Sequence, residues 1–267
     1  MNTSRGVTVA QRQWPHFERV LCAFDVEQPS PSALELARLL AEPGAGSVES
    51  FYADSGSPAQ AILARAGAVN ADLIVLGARS RSDLGWQFRD DVVRDVSALA
   101  AYATLTVHER DVPPAVQHVL VPVDFGPATS AVLERASALA IGFGAALQLL
   151  HVASHESVDQ AAQLATLQQG LAARGIRAAA EVIVARGAAH GIESYNQRGE
   201  FDLVVMGVSG KPHSAPRLTR GVVATLRNRL SVPLLAIREA QLDAARPHAS
   251  AAPPERWDAK VGAELSA

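Results

Sequence analysis

Residues 202–221, DLVVMGVSGKPHSAPRLTRG, have the types and spacing to do chemistry. Asp202 to Met206 reads as a buried strand, with Gly207 and Gly210 at its C-terminal end. Lys211, His213, Arg217 and Arg220 make the following loop cationic, and a helix is expected to open at Arg220-Gly221. Glycines let a ligand approach the backbone, and the free N–H groups of a helix start face negative charge. The chemistry implied is anion binding, with a phosphate held at a strand-to-helix turn. The device occurs a second time at residues 72–91, DLIVLGARSRSDLGWQFRDD.

The elements that would position these turns alternate between strand and helix patterns. RVLCAF (19–24), VESFYA (48–53), Leu73 to Leu76 and TLTV (104–107) are apolar runs of strand length. Between them, Ser30-Pro31-Ser32 and Ser57-Pro58 offer helix starts, and a helix is expected over residues 91–101. Residues 109–117, with Pro113-Pro114, read as a linker. The pattern then restarts. Strands are expected at HVLVPV (118–123), ALQLLHV (146–152), 178–184, 203–206 and 232–237. Helices are expected over 129–143, 158–173, 188–197 and 221–230. The chain therefore divides into domains at 17–109 and 116–239, and the Ala-, Pro- and charge-rich residues 240–267 read as a disordered tail.

The two domains are copies. Asp72 and Asp202 are 130 apart, as are Gly77 and Gly207, Ile62 and Ile192, and Val107 and Ile237. Asp25 and Asp124, which close the first strands, are only 99 apart, so the first copy is 31 residues short before its later helix. That is the length of one strand–helix unit. Copy two has five strands and copy one four. Strand–helix alternation argues a parallel sheet with helices on both faces. Ligands in such sheets bind beyond the strand C-termini, where strand order reverses. Asp124 and Gly207 share that crevice if their strands are neighbours.

Composition narrows the classes. Hydrophobic residues are 48%, charged residues 19% and net charge −3, so neither nucleic acid nor an anionic membrane is an expected partner. Cys22 is the sole cysteine, residues 1–18 lack an apolar leader core, and no run approaches membrane-spanning length. The expectation is a soluble cytoplasmic protein.

HVLVPVDFG (118–126), ALQLLHV (146–152), RGAAHGI (186–192), FDLVVMGVSG (201–210) and VPLLAI (232–237) resemble a universal stress protein domain. RVLCAFD (19–25), GSPAQAILARAGAVNADLIVLGARS (56–80) and TLTV (104–107) resemble it a second time. The resemblance implies an α/β fold of two tandem doubly wound parallel-sheet domains, flavodoxin-like or adenine nucleotide alpha hydrolase-like. It also implies that the last strands, Leu105–Val107 and Leu234–Ile237, pair edge to edge as an intrachain pseudo-dimer. Further pairing between chains is left open.

ATP-binding members of the family carry Gly-x2-Gly-x9-Gly-Ser/Thr after the fourth strand. Gly207 and Gly210 match its first half, but Arg220 and Gly221 stand where Gly-Ser/Thr would be. Asp124 and Val152 match the adenine end. In copy one Ser80 replaces the second glycine, and Asp90-Asp91 at the phosphate end would repel a triphosphate. The resemblance thus implies a stress-response protein that binds an unidentified protein partner without catalysis. ATP or a related adenine nucleotide would bind weakly in copy two and not in copy one. The alternative is an ATP-binding switch with slow hydrolysis. A third reading is an enzyme using the same crevice for another anionic ligand.

Other residues have two readings each. Arg220 either replaces the missing hydroxyl by bidentate phosphate contact or belongs to a solvated loop. Asp25 and Asp124 suggest acid–base work, but strand-end turns account for them more simply. His151 and His155 have metal-ligand spacing at a strand end, without an evident third ligand. Cys22 reads as core, and Trp86 and Phe88 as core or packing against copy two. Ser–His–Asp, nucleotidyl-transfer and P-loop patterns are not present in the sequence.

Overall fold

The computed structural model describes residues 17–25, 30–42, 45–53, 57–78, 90–100, 102–108, 115–208 and 217–238. Copy one runs β1 (Arg19–Asp25), α1 (Pro31–Ala41), β2 (Ser47–Ala53), α2 (Pro58–Ala68), β3 (Leu73–Ala78), α3 (Asp90–Leu99) and β4 (Ala103–His108). Copy two runs β5 (His118–Pro122), α4 (Thr129–Phe143), β6 (Ala146–Ala153), α5 (Val158–Ala172), β7 (Ala178–Val184), α6 (Ala188–Asn196), β8 (Leu203–Val208), α7 (Arg217–Arg227) and β9 (Leu234–Arg238). The tail at 240–267, most of the linker, and Trp86 and Phe88 lie outside the described residues.

The strands form one sheet in the order β2-β1-β3-β4-β9-β8-β5-β6-β7. Every described pairing is parallel except β4 with β9, where Leu105 faces Leu235 and Thr106 faces Leu234 in antiparallel register. The expected edge-to-edge pairing is thus present, and the pseudo-twofold axis passes through it. Read inward from either end, copy two is β7-β6-β5-β8-β9 and copy one is β2-β1-β3-β4. The missing unit is therefore the counterpart of α5 and β7. Registers agree, because Arg19 pairs with Ser47 and His118 with Ala146, each member 99 residues from its counterpart.

The sequence explains these elements locally. Ser30 caps α1 by accepting the Ala33 amide at 3.2 Å, with Pro31 in the first helical position. Ala33, Leu36, Ala37 and Leu40 then recur at one face and are buried. Gly144 ends α4 in the left-handed region at φ 65. One face of the sheet joins α1, α4 and α5 in a core shared by both copies. On the other face each copy keeps its own cluster, around Ile62 and Val96 or around Ile192 and Leu226.

The duplicated aspartates sit at the N-terminal edge of the sheet, away from the crevice. Asp72 accepts the Glu18 and Arg19 amides at 2.7 and 3.1 Å, and Asp202 accepts those of Gln117 and His118 at 2.7 and 2.8 Å. Each ties the start of its copy's first strand to the start of a neighbour. Burial pushes the Asp72 carboxyl above its ordinary range, and the two amides oppose it only in part.

Candidate functional site

β8, β5 and β6 are adjacent, so strand order reverses at β5 and the crevice lies over its C-terminal end. β5 and β8 are laddered only at Val119–Leu203 and Leu120–Val204. β5 closes at Pro122, which has no N–H to donate. In copy one the counterpart of Pro122 is Ala23, and β1 and β3 stay laddered through four pairs, from Val20–Leu73 to Ala23–Leu76. The two copies therefore differ at the point where a ligand would enter.

Asp124 follows β5 and is exposed. Its Oδ1 accepts the Gly126 amide at 2.9 Å, which closes a turn two residues on. Phe125 lies between them in the left-handed region at φ 55, and its ring packs on His151 with centroids 4.6 Å apart. His151 is buried in β6, and its Nδ1 lies 2.7 Å from the Val123 carbonyl oxygen. The carbonyl accepts, so Nδ1 carries the hydrogen. His151 therefore fixes the loop, while His155 is exposed and lies 3.0 Å from the Ser154 hydroxyl. Cys22 is buried core, and burial pushes its thiol up to about 12, with Arg38 opposing the shift.

Val152 lies within β6, paired with Ile183, rather than beyond the strand end. Its side chain packs over Gly191 of α6, where an added Cβ would stand 2.6 Å from Val152 Cγ1. Gly207 lies in β8, and a Cβ there would stand 2.9 Å from Ala128 Cβ and 3.3 Å from Val132 Cγ2. The missing side chain of Gly207 thus makes room for the first turn of α4. Gly77 repeats this in copy one, where Ser30 Cβ would be 2.7 Å away. Both first glycines of the duplicated device serve helix–strand contact, a role that spacing along the chain does not reveal.

The phosphate end needs one correction. The expected helix start was Arg220-Gly221, but α7 begins at Arg217. Arg220 and Gly221 are its fourth and fifth residues, so both follow the N–H groups of the helix start that lack helical partners. Pro216 just ahead is a residue type of helix starts and was the signal available. Gly221 is exposed, and a Cβ there would meet nothing within 4 Å. Gly210, Lys211 and His213 lie outside the described residues. The structure thus brings Asp124, Val152 and Gly207 to the C-terminal ends of three neighbouring strands.

Two doubly wound α/β halves are joined edge to edge in one sheet, with a strand reversal at β5 in the second. Residues 23–108 and 115–238 each match the model of the universal stress protein family. The chain belongs to that family.

A universal stress protein from Archaeoglobus fulgidus superposes with a TM-score of 0.57 at 18% identity, covering 82% of this chain and 85% of that one. A putative universal stress protein from Pseudomonas aeruginosa gives 0.60 at 16% identity, covering 85% and 96%. The cytoplasmic domain of a prokaryotic cation chloride cotransporter gives 0.52 at 13% identity, covering 84% and 96%. These likenesses concern the fold. No curated protein matches the sequence. Among the described residues no helix is long and apolar enough to cross a membrane.

Proposed function

We propose that this protein acts in the stress response by binding a protein partner without catalysis. In this reading the second copy keeps a weak adenine-nucleotide site and the first is structural. The contrast between the copies carries the reading. The ladder at the strand reversal stops after two pairs in copy two and continues through four in copy one. An open strand end beside the exposed Asp124 supports nucleotide entry, and the laddered counterpart supports its loss. A further observation favours binding over turnover. Among the described residues, Asp124 and His151 beside the crevice are both engaged in holding the loop after β5.

The test is calorimetric titration with ATP–magnesium, with phosphate release followed in the same samples. One weak saturable site without phosphate release supports the reading. Phosphate release at one site supports the switch with slow hydrolysis instead. Absence of binding removes the nucleotide from either account. Arg220→Ala belongs in the same series, because unchanged affinity would exclude Arg220 as the substitute for the missing hydroxyl.

A further inference from the structure

The two copies end in unlike residues at equivalent positions. His108 closes β4 and Arg238 closes β9, and they are 130 apart, the spacing that relates the copies. Each side chain crosses the pseudo-twofold axis to the last helix of the other copy. His108 Nε2 lies 2.7 Å from the carbonyl oxygen of Arg227, the last residue of α7. Arg238 Nη2 donates to the carbonyls of Ser97 and Ala98, near the end of α3, at 2.7 and 2.8 Å. Ser97 and Arg227 are themselves 130 apart, so each bond is the symmetry mate of the other. Both side chains are buried, at 8% and 3% exposure.

The chemistry of the contact is specific. The last four carbonyls of a helix have no helical donor and form its negative end. A buried N–H that reaches them satisfies an acceptor that water cannot reach. The carbonyl accepts, so His108 carries its hydrogen on Nε2, and Nδ1 is buried without a partner among the described residues. The helix that His108 holds starts at Arg217, just beyond the strand bearing Gly207. Its opposite end carries Arg220 and Gly221, the residues assigned to the phosphate side of the nucleotide site proposed above.

We propose that His108 is a positioning residue for the second copy's site, supplied by the first copy. Copy one fixes the C-terminal end of α7, and so sets the helix whose N-terminal end copy two offers to an anion. Arg238 does the same for α3 in the reverse direction. The proposal rests on the nucleotide reading for its affinity arm alone.

The experiment uses the full chain and compares wild type with His108→Ala, His108→Leu, His108→Gln and His108→Arg. Amide exchange across residues 217–230 and ATP–magnesium affinity are both measured. Loss of one buried hydrogen bond predicts exchange about tenfold faster in the last turn of α7 for His108→Ala. ATP affinity falls roughly threefold or more, as coupling through a packed helix would transmit. His108→Leu fills the space without a donor and gives the same result, should the alanine variant not fold. His108→Gln keeps an N–H, and His108→Arg copies the solution at Arg238, so both restore protection and affinity. A purely space-filling residue would instead be rescued by leucine. Imidazole nitrogen shifts of the wild type show the Nε2–H tautomer.

Unchanged exchange in His108→Ala, or full rescue by leucine, overturns the proposal. So does equal ATP affinity in wild type and His108→Ala. If the wild type binds no ATP, the nucleotide reading fails and takes the affinity arm with it. Exchange in α7 then decides whether His108 holds the helix.

Discussion

Gly207→Ala separates the two reasons a glycine can sit at the end of β8. The added methyl would lie 2.9 Å from Ala128 Cβ and 3.3 Å from Val132 Cγ2. Carbon atoms rest about 3.5–4.0 Å apart, so the start of α4 must retreat by roughly 0.6 Å or more. Ala128 is the N-cap of α4 and its Cβ has no rotamer to escape into. Overpacking of this kind costs about 1–3 kcal/mol. For a chain of this size that lowers Tm by about 2–10 °C. Ala128→Gly then gives the control, because glycine is tolerated at an N-cap better than alanine. In the double variant the clash with Ala128 is gone and most of the loss should be recovered, with a coupling of about 1 kcal/mol or more. Thermal denaturation of the four proteins measures the cycle. An unchanged Tm in Gly207→Ala would refute the packing account. If ATP affinity fell while Tm held, the glycine would serve a ligand instead.

Three other perturbations test separate parts of the molecule. Asp202→Ala removes the acceptor for the Gln117 and His118 amides and should cost about 1–3 kcal/mol by urea denaturation, with faster exchange at both amides. Cys22 has its thiol pushed from 9.0 to about 12 by burial, so its contribution to stability is full below 9.0 and is lost as pH rises through about 12. Urea midpoints of wild type should decline across that window, and those of Cys22→Ala should lack that part of the slope. At neutral pH the native thiol should alkylate only through opening of the fold. Pro122→Ala restores the donor that copy one has at Ala23, so the β5–β8 ladder should lengthen. Slower amide exchange at the end of β5, with weaker ATP binding, is the expected outcome; unchanged exchange would show that the proline does not keep the crevice open.

Much of the fold was legible because the sequence contains its own comparison. The 130-residue spacing fixed the equivalence of β3 with β8 and β4 with β9, and the shortfall of 31 located the missing unit. The antiparallel meeting of Leu105 and Leu235 followed from resemblance and is present. The site was less legible, for physical reasons. The packing role of Gly207 was hidden because the atoms that need its space, in Ala128 and Val132, are some 75–80 residues away in the chain. The start of α7 was misplaced because Gly221 resembled a motif position, whereas Pro216 carried the conformational signal. His108 and Arg238 differ in type and share only a position, so periodicity and motif reading pass over them. Extending the 130-residue register to the ends of the last strands would have paired them.

The truncation of copy one is written into its surface. In copy two Leu147 and Leu149 of β6 share a core with Leu164 and Leu171 of α5. Their counterparts in β2, 99 residues earlier, are Val48 and Ser50, and the counterpart of His151 is Tyr52. Ser50 is exposed and Tyr52 is 49% exposed, with its ring 5.5 Å from that of Phe24. A leucine there would leave apolar area in water, at about 25 cal/mol for each Å². Serine avoids that cost, and Tyr52 covers Phe24 while keeping its hydroxyl end polar. A copy that had merely lost a unit by accident would still show the apolar face that the unit once covered. Copy one has adapted this face while keeping Asp72, Gly77, β4 and His108, the parts that anchor its sheet and reach into copy two. Asp72 and Gly77 hold its own sheet and helix together, while β4 and His108 are what the other half uses, which is the pattern expected if its present role is to hold that half in place.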